Sequence, residues 1–348
     1  MSAVTTSMRA GVWADVDRVE IHTVPAPAPA PHEVLLAPTH AGICGSDLAI
    51  VGGSHARARP GIVLGHEFAG RVATPATDGT GPDAGRLVAV NPLITCADRG
   101  TTPRCDACLG GNDHVCRHLG LFGVDVPGGL AERVAVPAHR LHPVADGVPL
   151  AHAALAEPLA VAVHAVARAR LTHGDSVLVY GAGPIGLLTA LVARARGAEV
   201  VTVAEANEWR RSVATGLGLP AVGPDEVLSR SRRATGGVGV DVVFDTAGVP
   251  AVAGELSAAA RVRGTVMLVA VYKEPTALDL RAVNFAEQTL IGTRVYRDRD
   301  FSEAVRLIDG RALPLDGLPV GDFPLDRAQD AFAAARAGTD LVKALISI

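Results

Sequence analysis

Residues 176–186 read Ser-Val-Leu-Val-Tyr-Gly-Ala-Gly-Pro-Ile-Gly, an apolar stretch followed directly by a glycine-rich loop. The stretch predicts a buried strand, and residues 187–196 predict a helix that ends at a Gly197 cap. A G-x-G-x-x-G pattern between a strand and a helix is typical of dinucleotide binding, because the glycines permit a tight turn and a close approach to a pyrophosphate. We therefore predict a phosphate cradle at the start of this helix, formed by Gly181, Gly183, Pro184, Ile185 and Gly186.

An acidic residue follows the loop where a ribose would be recognised. Glu205 lies 19 residues after Gly186, at the end of the next predicted strand. Because a carboxylate there would repel a 2′-phosphate, NAD is favoured over NADP as the cofactor. Arg210 and Arg211 weaken this preference, since either guanidinium could meet a phosphate. The alternative for residues 181–186 is a glycine-rich turn that binds no nucleotide. A second glycine cluster, at residues 236–239, precedes a strand without opening a helix, and we interpret that one as a loop.

The chain changes character near residue 150. Before that point, short apolar segments bounded by Gly or Pro predict a β-rich part, with strands at residues 33–36, 86–90 and 132–136. After it, apolar strands alternate with helical stretches, which is the pattern of parallel βαβ units in an α/β protein. The predicted elements there are a helix at 151–171 interrupted by Pro158, a helix from the N-cap Asn207 through Gly216, and strands at 199–203, 241–244, 265–271 and 290–295. The C-terminal part contains both kinds of element, with predicted helices near 301–309 and 325–337 and a predicted strand at 341–348.

Length and composition favour two folded domains and argue against several classes of protein. A chain of 348 residues with 49% hydrophobic and 20% charged residues can form about two packed domains. The net charge is −4 and no basic block occurs, so we predict no nucleic-acid partner. No run of 18 apolar residues and no signal-peptide pattern is present, so we predict no membrane span and a cytoplasmic location.

Four of the five cysteines lie within residues 96–116. In a chain without export signals, this clustering favours metal binding over disulfides, and four thiolates would form a closed, structural zinc site. The predicted ligands are Cys96, Cys105, Cys108 and Cys116. The gap at residues 97–104 leaves the membership of Cys96 open, with His114 as a less favoured substitute. The alternative is a set of reduced, buried cysteines.

A second group of candidate ligands contains the remaining cysteine. Cys44 lies upstream of the adjacent pair His66 and Glu67, and a thiolate, an imidazole and a carboxylate suit zinc with one position left open for substrate. Glu157 is a further candidate, although a carboxylate at a helix start can equally interact with the helix dipole. Other histidines, such as His139, are interpreted as ordinary hydrogen-bonded residues. Together with the nucleotide loop, this group indicates metal-assisted alcohol oxidation.

The motifs of this chain resemble those of the zinc-dependent medium-chain dehydrogenases, in particular the branch of sorbitol, threonine and 2,3-butanediol dehydrogenases. The matching segments are residues 42–47 (GICGSD), residues 65–70 (GHEFAG), the cysteine cluster, residues 157–162 (EPLAVA) and the glycine loop. They occur in the order found in the family, and the resemblance spans essentially the whole chain. It implies a GroES-like, β-rich catalytic domain at 1–149 with a structural-zinc lobe at 91–118, a Rossmann NAD-binding domain with a doubly wound parallel sheet at 150–288, and a C-terminal return to the catalytic domain at 289–348.

The resemblance also implies roles for individual residues. Cys44 and His66 would hold a catalytic zinc, Glu67 and Glu157 would be carboxylate ligands that exchange with water or substrate, and Ser46 would relay the alcohol proton. Members of this family are usually homodimers or homotetramers that pair through the edge of the Rossmann sheet.

Two positions depart from the family pattern. Relatives commonly carry a histidine three positions after the equivalent of Ser46, and this chain has Ala49 there. His55 or water could take over the exit of the proton. The first two lobe cysteines are normally close together, and residues 97–104 separate them here, so the sequence leaves the structural zinc unsecured.

The functional prediction is oxidation of a secondary alcohol to a ketone, with hydride transfer to NAD. The resemblance implies a small-molecule substrate with a neighbouring hydroxyl or amine: a polyol, vicinal diol, amino alcohol, cyclitol or aminocyclitol. The alternatives are a zinc-free quinone or enoyl reductase of the same superfamily and a non-catalytic protein that binds NAD and zinc. Arg294 and Tyr296 follow the last predicted strand and could lie near the substrate pocket or at the surface.

Overall fold

The computed structural model describes residues 7–348, which form two compact units. The first unit contains Met1–Glu157 from residue 7 onward, Arg297–Gly310 and Pro319–Ile348. The second unit contains Pro158–Tyr296 and Arg311–Leu318. Residues 289–296 thus belong to the second unit, whereas the sequence-based division assigned them to the C-terminal return.

Strands alternate regularly with helices in the second unit, whereas the first unit consists mainly of strands. The strands are β1 (Ser7–Asp15), β2 (Arg18–Pro25), β3 (Glu33–Gly42), β4 (Glu67–Thr74), β5 (Leu87–Val90), β6 (Leu93–Ile94), β7 (Gly120–Leu121), β8 (Val134–Pro137), β9 (Leu141–Pro143), β10 (Ser176–Tyr180), β11 (Val200–Ala204), β12 (Ala221–Val222), β13 (Val240–Asp245), β14 (Ala260–Leu268), β15 (Thr289–Gly292), β16 (Val320–Pro324) and β17 (Lys343–Ser347). The helices are α1 (Gly45–Val51), α2 (Asp106–Leu109), α3 (Leu150–Ala154), α4 (Ala156–Ala169), α5 (Pro184–Ala195), α6 (Glu208–Gly216), α7 (Val227–Ala234), α8 (Pro250–Ala259), α9 (Leu280–Phe285), α10 (Asp298–Asp309) and α11 (Ala328–Ala337).

A seven-stranded, mostly antiparallel sheet forms the centre of the first unit. Its order is β16-β17-β3-β4-β5-β9, with β8 also paired to β3. The alternating burial of β3 places Val34 and Leu36 in the core, where Phe68 and Val72 of β4 join them. The C-terminal strand β17 pairs antiparallel with β3, so the end of the chain lies beside the segment that precedes Cys44.

The second unit contains a parallel sheet of six strands in the order β12-β11-β10-β13-β14-β15. The chain builds outward from β10 to β12, then crosses back to place β13 on the other side of β10. This reversal is the topological switch point at which doubly wound sheets bind nucleotides, so the sheet confirms the predicted Rossmann class. Residues 177–179 of β10 are completely buried, as expected for a strand covered on both faces.

Local signals in the sequence placed several elements correctly. The predicted strand Ser176–Tyr180 matches β10, and the side chain of Asn207 caps α6 by accepting the N–H of Arg210 at 3.0 Å. The predicted helix at 151–171 is two helices, α3 and α4, and the break falls at Leu155 instead of at Pro158. Proline is tolerated in the first turn of α4 because the N–H it lacks has no intrahelical partner there.

None of the helices in residues 7–348 combines the length and the apolar character that a membrane crossing requires.

Candidate active site

Cys44, His66 and Glu67 converge at one end of the first unit's sheet. Cys44 follows β3, Glu67 opens β4, and Gly42 of β3 faces Glu67 in the antiparallel register. One ligand atom from each of the three side chains lies within 4.8 Å of the other two. His66 and Glu67 are buried and Cys44 is half-buried. The arrangement brings together one thiol, one imidazole and one carboxylate, a donor set that suits zinc.

Asp47 fixes the relative positions of Cys44 and His66 from the first turn of α1. Its Oδ2 accepts the backbone N–H of Cys44 at 2.8 Å, and its Oδ1 lies 3.2 Å from Nδ1 of His66. Burial lowers the pKa of His66, but the Asp47 carboxylate and Cys44 raise it by more than burial lowers it. The net pKa therefore lies well above its ordinary value. A carboxylate on one ring nitrogen is the usual means of orienting a metal-ligating histidine. Asp47 is not among the residues predicted from the sequence, although its place at the helix start, three residues after Cys44, was a signal.

Ser46 and Ala49 lie on the same short helix. The Ser46 hydroxyl oxygen lies 3.4 Å from Nε2 of His66, so the predicted proton relay begins next to the donor group. The carbonyl of Ala49 accepts the backbone N–H of His55 at 3.2 Å. The backbone of His55 therefore lies next to Ala49, the position at which relatives carry a histidine.

His55 is held by its own loop. Its Nδ1 accepts the backbone N–H groups of Arg57 and Ala58 at 3.3 and 3.2 Å. Burial and the charge of Arg57 lower the pKa of the His55 ring. The ring is therefore favoured in the neutral tautomer that carries its proton on Nε2.

The Glu67 carboxylate contacts a buried lysine. Lys343 opens β17, and its Nζ forms an ion pair with Oε2 of Glu67, with both side chains almost fully buried. Gly42 lies between them on β3: a Cβ at this position would overlap Oε2 of Glu67 and lie 2.9 Å from Cε of Lys343. Burial lowers the pKa of Lys343, but Glu67, Cys44 and Glu157 raise it, so that the net pKa is above its ordinary value. Lys343 is not among the residues predicted from the sequence.

Glu157 lies outside the group of three donor atoms. It is buried in the first turn of α4, and its charge reaches Lys343. The structure therefore brings Cys44, His66 and Glu67 together, and Glu157 is not part of that 4.8 Å group.

The four other cysteines form a separate cluster in the first unit. Their Sγ atoms all lie within 4.8 Å of one another, with 3.6 Å between Cys96 and Cys116 and 3.8 Å between Cys105 and Cys116. Cys96 thus reaches the cluster despite the insertion, and His114 is not part of it. Backbone N–H groups of Arg117 and Cys108 lower the pKa of Cys105 to about 6. Four thiol groups at this spacing fit a closed structural zinc site.

Asp98 anchors the insertion between Cys96 and Cys105. Its carboxylate accepts hydrogen bonds from Arg140 Nε and Nη2 at 2.9 and 2.5 Å, and from the N–H and hydroxyl of Thr95 at 2.6 and 2.9 Å. It also lies 2.9 Å from Nε2 of His139. Burial raises the pKa of Asp98, but His139 and Arg140 hold it well below its ordinary value. The insertion therefore follows a fixed path that returns the chain to the cysteine cluster.

The glycine loop of the second unit has the geometry of a phosphate cradle. Gly181 adopts φ +98°, in the left-handed region, and a Cβ on Gly186 would overlap the carbonyl oxygen of Gly181. Gly183 is the N-cap of α5, with Pro184 at the first helical position and no side chain capping the helix. A Cβ on Gly183 would meet nothing within 4 Å, so space is open in front of the first-turn amides. This arrangement fits a pyrophosphate.

Glu205 lies beside that loop, at the end of β11. Its Oε2 accepts the backbone N–H of Ala182 at 2.7 Å, and its Oε1 accepts that of Asn207 at 2.9 Å. These bonds fix the carboxylate where the ribose of a bound dinucleotide would extend from the loop. Arg211 donates to the carbonyl oxygen of Glu205 at 2.9 Å, whereas Arg210 uses its backbone N–H to cap α6.

Further polar residues lie at the carboxyl ends of the central strands of the second unit. Asp245 ends β13, and its carboxylate accepts the hydroxyl of Tyr272 at 2.5 Å and the N–H of Gly248 at 3.0 Å. The hydroxyl of Thr246 donates to the carbonyl of Tyr180 at 2.6 Å. This edge of a doubly wound sheet is where ligands bind, so these residues are candidate cofactor neighbours that were missed. Polar residues at the end of a predicted strand were the available signal.

Arg294 and Tyr296 have different environments. Tyr296 is completely buried, and Arg294 is exposed. A buried tyrosine of this kind contributes to packing, so the two residues do not form a pair on one surface.

Comparison with known families assigns both parts of the chain. Residues 30–146 match the model of the alcohol dehydrogenase GroES-like domain, and residues 184–310 match that of the zinc-binding dehydrogenases. The first match includes the donor group of Cys44, His66 and Glu67 together with the cysteine cluster. The second begins at Pro184, inside the glycine loop.

Individual relatives extend this similarity to nearly the full chain. The chain is 36% identical to 2-dehydro-3-deoxy-L-galactonate 5-dehydrogenase of Pseudoalteromonas atlantica, over 94% of each protein. It is 33% identical to L-threonine 3-dehydrogenase of Pyrococcus horikoshii, over 92% of each. Among solved structures, a zinc-binding dehydrogenase of Sinorhizobium meliloti bound to NADP has a TM-score of 0.91 and 28% identity, with 99% of this chain and 100% of that chain covered.

Proposed function

We propose that this chain, which belongs to the zinc-dependent medium-chain dehydrogenases, oxidises a secondary alcohol to a ketone and transfers the hydride to NAD. The observation that carries this proposal is the convergence of Cys44, His66 and Glu67 within 4.8 Å, next to the Ser46 hydroxyl. A zinc-free reductase or a non-catalytic binding protein would have no use for this combination.

The donor set fits a catalytic metal. We propose Cys44 and His66 as its permanent ligands and Glu67 and Glu157 as the exchangeable carboxylates, whereas Cys96, Cys105, Cys108 and Cys116 would hold a structural zinc. Zinc at the first site supplies Lewis acidity, which lowers the pKa of an alcohol much as it lowers that of water. With one of the two carboxylates bound at a time, three protein donors leave a fourth position for substrate, whereas four thiolates leave none.

The residues around the donor group have separate tasks in this proposal. Asp47 orients the His66 ring, so that Nε2 faces the other donors. The Ser46 hydroxyl oxygen accepts the proton that the alcohol loses and passes its own proton onward. Because Ala49 has no titratable group and Nδ1 of His55 already accepts two N–H groups, we propose that the proton leaves through water.

The second unit supplies the cofactor site. We propose that Gly181, Gly183, Pro184, Ile185 and Gly186 hold the pyrophosphate and that Glu205 accepts the ribose hydroxyls, with Arg210 nearby. NAD supplies the hydride acceptor when bound. The fixed carboxylate of Glu205 supports NAD over NADP, because a 2′-phosphate would face a negative charge. The Sinorhizobium meliloti relative is bound to NADP, and the ratio of kcat/KM for the two cofactors measures the preference of this chain.

The names of the relatives narrow the class of substrate. One acts at carbon 5 of a deoxygalactonate and another at carbon 3 of threonine. Each of these is a secondary alcohol with a hydroxyl or an amine on a neighbouring carbon. We propose the same class for this chain: polyols, sugar acids, vicinal diols, amino alcohols or cyclitols.

We further propose a homodimer or homotetramer in the cytoplasm. In the described part of the chain, β15 is the outer strand of the parallel sheet and pairs with β14 alone. Large apolar side chains of the same unit are exposed nearby in sequence, among them Leu280 and Phe285 on α9. An open strand edge and exposed apolar residues in the same unit favour pairing with a second copy. Light scattering of the purified protein tests the assembly, and a monomeric mass would contradict it.

Metal analysis combined with a substrate panel tests the proposed reaction. We expect two zinc ions per chain and NADH formation, measured by absorbance, with at least one member of the substrate class. Cys44→Ala should abolish turnover while NAD still binds, and it should lose one zinc. Full activity of metal-free Cys44→Ala protein would disprove the zinc mechanism. Cys108→Ala is the matched control, because it removes a thiol from the other cluster.

A further inference from the structure

A buried ammonium group lies among the proposed ligands of the catalytic metal. Lys343 Nζ contacts Glu67 Oε2, and the side chains are 4% and 1% exposed. The charges of Cys44 and Glu157 also act on this ammonium group. Glu67 therefore has two cationic partners available to it, the ammonium group on one side and a metal at the donor cluster on the other.

Arginine is the usual basic residue of this chain, which makes this lysine unusual. The sequence contains 30 arginines and two lysines, Lys273 and Lys343, and only the second is buried. The lysine stem passes close to Gly42 on β3, where an added Cβ would lie 2.9 Å from Cε. An ammonium group is a compact point charge, whereas a guanidinium is a wide, planar fork. A compact ammonium group on a narrow stem therefore fits this buried position.

Two cations that share one carboxylate weaken each other's hold on it. A buried carboxylate must be paired with a cation, because an unpaired charge in the interior is costly. With Lys343 present, Glu67 can leave the metal and remain paired. Without it, the metal would be the cation nearest to the carboxylate, and Glu67 would stay bound.

We propose that Lys343 is a positioning residue that competes with the metal for Glu67 and thereby keeps this carboxylate an exchangeable ligand. The proposal rests on the proposed function, since it requires a metal at Cys44 and His66. Its consequence is an open fourth position: Glu67 can withdraw to Lys343 when the substrate oxygen arrives. Loss of the ammonium group should tighten metal binding and slow turnover at the same time.

A double-mutant cycle between Lys343 and Glu67 tests this inference. The variants are Lys343→Met, Glu67→Gln and the double variant, with Lys273→Met as a matched control that removes the exposed lysine. Metal affinity is measured by competition with a chelator. Cobalt substitution gives a second readout, because visible absorption reports the coordination of the metal and the four-thiolate site has its own intense charge-transfer bands.

The proposal predicts a specific set of outcomes. Lys343→Met should bind metal about tenfold more tightly than the wild type, and the same change in the Glu67→Gln background should shift affinity less than about threefold. The cobalt spectrum of Lys343→Met should change, and its kcat should fall. Lys273→Met should leave the affinity unchanged. The double variant removes both members of the Lys343–Glu67 pair and leaves neither charge without the other, so it should fold even if a single variant does not.

Several results would overturn the proposal. Unchanged or weaker metal binding in Lys343→Met would show that the ion pair is only structural. If that variant does not fold, Glu67→Gln decides the question alone: a loss of metal affinity greater than about a hundredfold would show that Glu67 is a firm ligand despite Lys343. Metal binding by the wild type that Cys44→Ala leaves unaltered would instead refute the proposed function itself.

Discussion

Replacing Asp98 with alanine should destabilise the first unit and loosen the cysteine cluster. The carboxylate accepts hydrogen bonds from Arg140 and Thr95, and its side chain is 5% exposed. Its loss leaves the Arg140 guanidinium, which is 6% exposed, buried without its partner. Removing one member of a buried ion pair costs about 3–5 kcal/mol in the free energy of unfolding.

The expected change can be measured by thermal unfolding. At about 2–4 °C per kcal/mol for a domain of 150–250 residues, Asp98→Ala should lower Tm by about 6–20 °C. Asp146→Ala is the matched control, because that aspartate also pairs with an arginine but is 93% exposed. An exposed pair contributes at most about 1 kcal/mol, so the control should change Tm by less than about 4 °C.

The same variant has a predictable dependence on pH. The pKa of Asp98 is lower in the folded chain than in the unfolded chain, so its stabilising contribution is present above the unfolded value of about 3.9 and is lost as the pH falls further. The difference in stability between wild type and Asp98→Ala should therefore remain constant from neutral pH down to about pH 5 and shrink below about pH 4.

Zinc released to a colorimetric chelator should appear sooner from the variant, because the insertion no longer holds Cys96 in place.

A fall in Tm of less than about 4 °C would refute this reasoning, since it would mean that the Asp98 pair contributes no more than a surface pair. Equal zinc release from the wild type and the variant would refute the second part, that Asp98 positions the cluster.

Three further predictions concern the chemistry of the two sites. Ser46→Ala should lower kcat by about 10²- to 10⁴-fold with unchanged zinc content, and a loss of less than about threefold would exclude the hydroxyl as the proton acceptor. Asp47→Asn should weaken zinc binding by about 10- to 100-fold in chelator competition, because His66 loses the carboxylate that orients it; unaltered affinity would contradict that role. Glu205→Ala should reduce the preference for NAD over NADP by about a hundredfold in kcat/KM, and an unchanged ratio would show that the carboxylate does not discriminate.

Sequence patterns predicted the features that depend on neighbouring residues. The strand before the glycine loop and the Asn207 cap follow from short-range rules of burial and hydrogen bonding, and both are confirmed. The alternation of strands and helices after residue 150 was enough to indicate the parallel sheet. The hairpin of β1 and β2 was missed because mixed exposure along β2 obscures the period of two.

The features that escaped prediction depend on residues far apart in the chain. Lys343 reaches Glu67 only because β17 pairs with β3, a register that no local pattern encodes. Cys96 reaches its cluster because Asp98, in the insertion, accepts a hydrogen bond from Arg140, which follows the lobe in the sequence. In both cases, the tertiary structure brings together two buried charged residues that are distant in the sequence. Ion pairs of this kind produce no periodic pattern in the sequence.

The scarcity of lysine gives this protein an unusual chemical handle. Apart from the α-amino group, amine-reactive reagents can reach one exposed side chain, that of Lys273, which would accept a single dye or linker. Lys343 can react only when β17 separates from its neighbours. The rate at which Lys343 becomes acylated, followed by mass spectrometry, would therefore record how often the last strand opens, and with it how often the interior of the metal site is exposed to solvent.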